Sequence, residues 1–124
     1  MQKKYPKHLA LWQIRLPIPG IVSILHRVSG VLLFISLPFL LYLLQGSLAS
    51  HSAFETYLAI VSHPFTKLCL LALLWSFFHH FLAGVRFLFL DIHKGLELAT
   101  ARVTAKLVMV LSLVLTTLVG GLIW

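Results

Sequence analysis

Acidic side chains are nearly missing. Glu55, Asp91 and Glu97 are the only three in 124 residues. That leaves no set of carboxylates for general acid–base hydrolysis. Cysteine is also scarce. Cys69 stands alone, so the chain has neither an internal disulfide nor the thiolates that ligate an iron–sulfur cluster. No G-x-G-x-x-G or G-x-x-x-x-G-K-[ST] phosphate loop occurs. Any flavin, nucleotide or cluster used in redox chemistry therefore belongs to another chain. Charged residues of both signs make up 10% of the sequence, against about a quarter in soluble domains.

Apolar residues are abundant: 60% are hydrophobic and the mean hydropathy is +0.99. A water-soluble core of this size does not hide so much apolar surface, so the class is integral membrane protein. The formal charge of +7 does not point to nucleic acid. The basic residues border apolar runs instead of interleaving with surface aromatics, and they read as topology signals.

Three apolar runs predict an all-α fold with spans at about 21–46, 65–91 and 103–124. A helix rises about 1.5 Å per residue and a hydrocarbon core is about 30 Å thick, so about 20 residues cross it. Residues 1–124 read as one transmembrane domain with an N-terminal arm over about 1–20. Pro17, Pro19 and Gly20 mark a break between arm and first span. Every Lys and Arg except Lys67 falls on one side of the resulting layout. The positive-inside rule puts the N-terminus in the cytoplasm and the C-terminus, with Trp124 at an aromatic belt, outside. A signal peptide is the competing reading of the front end. The first apolar stretch exceeds an h-region of about 7–15 residues and two more spans follow, so cleavage is not expected.

Ionisable groups inside spans are candidates for function. His80 precedes Arg86 by six residues, roughly 9 Å along a helix, deep in the hydrocarbon. Ser76, His80 and Gly84 share a face at i, i+4 and i+8. Small residues bracketing an imidazole let a flat group or another backbone approach. Haem is one such group, and a hydrogen bond to a neighbouring helix is the plainer alternative. The residues alone leave both open. His79 lies about 100° away around the helix and reads as a polar contact between helices. Met109 is a weak internal alternative as a second ligand. Ser112, Thr116 and Gly120 form a packing stripe on the third span. Arg86 and Asp91 read as a structural ion pair or cap. His8, His51, His63 and His93 read as solvated or interfacial.

On the first span Ser23, Arg27 and Gly30 share a face with His26 beside them. Arg27 either snorkels and fixes topology or offers its planar fork of donors to a ligand.

The run S-x-x-H-R-x-[ST]-G at Ser23, His26, Arg27, Ser29 and Gly30 resembles a signature of the cytochrome b subunit of succinate dehydrogenase. The pattern H-x-x-x-G-x-R-[H]-x-x-x-D matches its second signature at His80, Gly84, Arg86 and Asp91. The likeness covers nearly the whole chain. It implies half of a helical bundle completed by a second small membrane-anchor subunit, in a bacterial inner (cytoplasmic) membrane. It implies that the pair anchors a flavoprotein subunit and an iron–sulfur subunit, which carry FAD and the clusters. The activity implied is succinate:ubiquinone oxidoreduction by the whole complex, not by this chain alone. His80 matches the axial ligand to the iron of haem b, with the partner supplying the other ligand. His26 and Arg27 match residues near the haem propionates. Ser23 and Arg27 match residues lining the ubiquinone site. One departure is Phe87, where the family often has a second histidine. An anchor of a quinol:fumarate reductase, or a haem-free structural or transport subunit, is the alternative.

Overall fold

The computed structural model describes residues 13–124, so His8 and the lysines of the arm lie outside it. The described residues are helical throughout apart from short connections. In order the helices are α1 (Ile18–Ala49), α2 (His51–Ser62), α3 (Pro64–Asp91) and α4 (Leu98–Ile123). Among the described residues α1, α3 and α4 are the helices long and apolar enough to cross a membrane. The 32 residues of α1 extend about 48 Å, well beyond a hydrocarbon layer of about 30 Å.

The start of α1 differs from expectation. Pro19 does not belong to a break; it sits in the first helical turn. There its missing N–H is one that no helix uses, and its fixed φ already suits the helix. Pro17 is the N-cap residue, with φ −67° and ψ 155°. Its carbonyl accepts from the backbone N–H of Gly20 and Ile21. Pro38 lies inside α1, which continues through it.

The connection after the first span is itself a helix. Ser50 caps α2 by accepting from the Ala53 backbone N–H at 3.1 Å, and none of its residues is buried. His51 and Glu55 form an exposed i, i+4 pair at 3.7 Å. His63 caps α3 through its ring, accepting from Phe65 N–H at 3.3 Å, and Pro64 opens that helix.

At the other end, α3 closes with a Schellman motif. The Lys94 N–H reaches the Phe89 carbonyl and the His93 N–H reaches the Leu90 carbonyl, both at 3.0 Å. The residue turning the chain is His93, at φ 62°, in the left-handed region usually given to glycine.

The core within the chain is small. Val22, Ala83, Ala105 and Val108 form its cluster, with Ile18, Leu82, Phe87 and Met109 against it. The other buried side chains are Leu43, Ser29, Ser76, His79, Arg86 and Ser112. Large apolar groups face outward, with Phe34 78% and Leu122 86% exposed. Lipid tails are as apolar as leucine, so nothing drives leucine inward, and small residues let helices approach. The stripe on α4 behaves this way. Ser112 and Gly120 are buried, and a Cβ on Gly120 would lie 2.7 Å from Leu71 Cδ2. The Ser112 and Thr116 hydroxyls donate to the carbonyls of Met109 and Ser112 within their own helix.

His93→Gly removes the left-handed strain of about 1–2 kcal/mol but adds unfolded-state freedom of roughly 0.5–1 kcal/mol. We expect unchanged or slightly raised thermal stability, followed by circular dichroism in detergent.

Candidate functional site

The site forms where α1 crosses α3. Gly30 on α1 faces the His80 ring on α3: a Cβ at Gly30 would fall 2.8 Å from His80 Cε1 and 3.2 Å from Nδ1. A side chain there would have to push the ring aside. The His26 ring lies parallel to the His80 ring, with centroids 4.2 Å apart and planes 8° apart. Gly84 faces His26 Nε2 across the same crossing.

His80 Nδ1 is 3.0 Å from the His26 carbonyl oxygen and 3.3 Å from Ser29 Oγ. A carbonyl oxygen only accepts. A bare lone pair on Nδ1 would face the oxygen lone pairs at that distance, so Nδ1 carries the hydrogen. In the neutral ring this leaves the lone pair on Nε2, which is the form that ligates a metal. The ring is half-buried, not sealed. This donor set fits an axial ligand: a neutral imidazole, oriented through Nδ1–H, at the surface of the chain. Haem iron takes such a ligand.

His79 differs in every respect. It is fully buried and stacks on Trp75 at 5.1 Å. Among the described residues neither of its ring nitrogens has a hydrogen-bond partner. The stack on Trp75 lies within α3 itself, and across the crossing the ring sits beside the Val22 backbone of α1 without a regular hydrogen bond. Met109 packs against the Val22–Ala83–Ala105–Val108 cluster.

Ser23 is half-buried and Arg27 exposed, one turn apart on α1. Neither side chain donates a hydrogen bond to another described residue. Phe87 packs on His26 at 5.2 Å, with planes tilted by 57°. The residue that departs from the second signature thus backs a residue of the first.

Arg86 is buried, which corrects the expected pairing with Asp91. Its Nε donates to Thr104 Oγ1 at 3.0 Å and Nη2 donates to the Ala101 carbonyl at 3.2 Å. Asp91 is exposed. A buried guanidinium needs acceptors, and the start of α4 supplies them while a solvated carboxylate does not. A groove of about 480 Å³ between α3 and α4 is lined by Arg86, Lys94 and apolar residues including Phe89 and Leu107. Ser23, His26, Arg27 and His80 do not line it.

The model of the succinate dehydrogenase/fumarate reductase transmembrane subunit family matches residues 1–119. The chain belongs to this family. Among its relatives is the succinate dehydrogenase cytochrome b556 subunit of Coxiella burnetii, 32% identical over the full length of both chains. The subunit of that name from Rickettsia felis is 34% identical over 90% of this chain and 85% of its own. That from Paracoccus denitrificans is 31% identical over 90% and 84%. As a transmembrane subunit of this family, the chain is a multi-pass membrane protein, and α1, α3 and α4 supply the spans.

Ser29, Gly30 and Phe87 had no role assigned from sequence beyond their places in the motifs. The glycine one position after Ser29 was a signal for close approach, but its counterpart across the crossing was not legible.

Arg86→Ala leaves Thr104 without its donor and opens a gap between α3 and α4. We expect a loss of about 1–3 kcal/mol, read as a lower thermal midpoint in detergent. Arg86→Lys restores little, because a point charge does not span both acceptors.

Proposed function

We propose that this chain is the haem b-bearing anchor subunit of a succinate:ubiquinone oxidoreductase in a bacterial inner membrane. It works with a second small anchor subunit and tethers the flavoprotein and iron–sulfur subunits, which hold FAD and the clusters. The whole chain acts as one domain, with its N-terminus cytoplasmic and its C-terminus periplasmic. The names of the relatives from three organisms support the succinate dehydrogenase direction, although the family description covers fumarate reductases too. The placement of the basic residues supports the orientation.

The observation that carries the reading is the His80 ring, with Nδ1–H committed to a backbone carbonyl and Nε2 left as a donor atom. In this proposal His80 would hold the haem iron, with the partner subunit completing the site. Haem b, when bound, supplies a one-electron redox centre between the anchor helices. His79 is sealed against Trp75, which suits packing better than ligation of a group shared with another chain. His26 and Arg27, on the turn beside His80, hold the propionates.

Ser23 and Arg27 bind ubiquinone in this reading. The Ser23 hydroxyl donates to a quinone carbonyl oxygen, and Arg27 faces the oxygen on which negative charge builds during reduction. At about 4 Å that attraction is about 1 kcal/mol in water and about 4 kcal/mol at an effective dielectric of about 20. Arg27 is exposed in the single chain, so its full effect requires the partner subunits to exclude water. The protons arrive from water or from an acid of another subunit.

In the assembled complex, Arg27→Leu is expected to abolish most ubiquinone reduction while haem stays bound. Normal turnover in this variant removes Arg27 from the mechanism. His80→Leu is expected to lose or alter the visible haem spectrum, whereas His79→Leu changes it far less. The opposite order of the two variants identifies His79 as the ligand.

A further inference from the structure

The hydroxyl of Ser29 is part of the His80 hydrogen bond. Ser29 is fully buried. Its Oγ–H donates to the His26 carbonyl at 2.9 Å, which turns an oxygen lone pair towards His80 Nδ1 at 3.3 Å. The carbonyl oxygen is itself 3.0 Å from the same nitrogen. Three polar atoms from two helices thus close a triangle, and the single Nδ1–H is shared between two acceptors one turn apart on α1.

An imidazole held by one acceptor still swings about its Cβ–Cγ bond. Two acceptors on one side, the His26 ring at 4.2 Å on a face and the Gly30 backbone against Cε1 leave it one plane. The arrangement has no slack, since Ser29 and Gly30 are adjacent on α1 and move together.

We propose that Ser29 is a positioning residue that sets the plane of the His80 ring. It touches neither the iron nor the quinone; it acts through the ring's Nδ1–H. This inference rests on the reading of His80 as the haem ligand. Hydrogen bonds to the outer nitrogen of a ligating histidine fix its orientation and tune its basicity. The two contacts of the Ser29 hydroxyl act on that basicity in opposite senses: accepting from Nδ1–H raises it, while donating to the carbonyl weakens the other acceptor. Ring orientation is therefore the clearer readout.

The test uses the purified whole complex carrying Ser29→Ala or Ser29→Thr. The low-spin ferric electron paramagnetic resonance signal reports the orientation of axial imidazole planes. Ser29→Ala is smaller than the native residue and creates no clash. It is expected to shift or broaden that signal and move the haem midpoint potential, with haem content near the parent's. Ser29→Thr keeps the hydroxyl and is expected to retain the parent signal. Loss of haem in Ser29→Ala with retention in Ser29→Thr also supports the role of the hydroxyl. A parent-like signal and potential in Ser29→Ala overturns it, as does equal loss of haem in both variants, which marks Ser29 as packing only. His80→Leu separates the two levels. If that variant keeps the parent haem signal, the ligand assignment falls and this inference with it. If it loses the signal while Ser29→Ala is unchanged, only the positioning role falls.

Discussion

The hydrogen bond from His80 Nδ1 to the His26 carbonyl joins α1 to α3 and decides what His80 is able to do. With the hydrogen on Nδ1, the other nitrogen is free to bind a metal. The bond also sets demands on its neighbours. The helices approach so closely that a Cβ at position 30 would displace the His80 ring. The His26 ring has to lie flat on its partner, and Phe87 fills the space behind it. His26, Ser29 and Gly30 of the first motif thus meet His80 and Gly84 of the second at one helix crossing.

The rest of the interior follows from the shortage of water in a bilayer. An unpartnered polar group there is expensive, so the buried hydroxyls of Ser29, Ser76 and Ser112 each donate to a carbonyl within their own helix. Arg86 reaches across to α4 for the same reason and becomes the polar link between those helices. His79 is the exception, buried without a hydrogen-bond partner among the described residues. Its packing on Trp75 compensates in part through aromatic contact. The large apolar side chains face outward.

Much of the local structure was legible before any coordinates. Three apolar runs of sufficient length carry the spans, and the small-residue stripe on α4 packs as its spacing implies. Pro19 was misread because proline breaks a helix only where an N–H is needed, and the first turn needs none. The helix α2 escaped notice because it buries nothing, and its start depends on a serine cap instead of an apolar stripe. His93 gave no sign of turning the chain, since histidine is not the residue usually found at φ 62°.

Sequence by itself determined the class, the spans and the residues worth watching. These depend on hydropathy, length and charge, which are additive along a chain. Only the tertiary structure sealed His79 while tying the half-buried His80 to α1, moved Arg86 from Asp91 to Thr104, and brought Ser29 to the ring of His80. Adjacent histidines are chemically identical in a sequence. They differ only in which way the helix turns each one and in what the neighbouring helix places opposite, and that is settled by packing across the crossing.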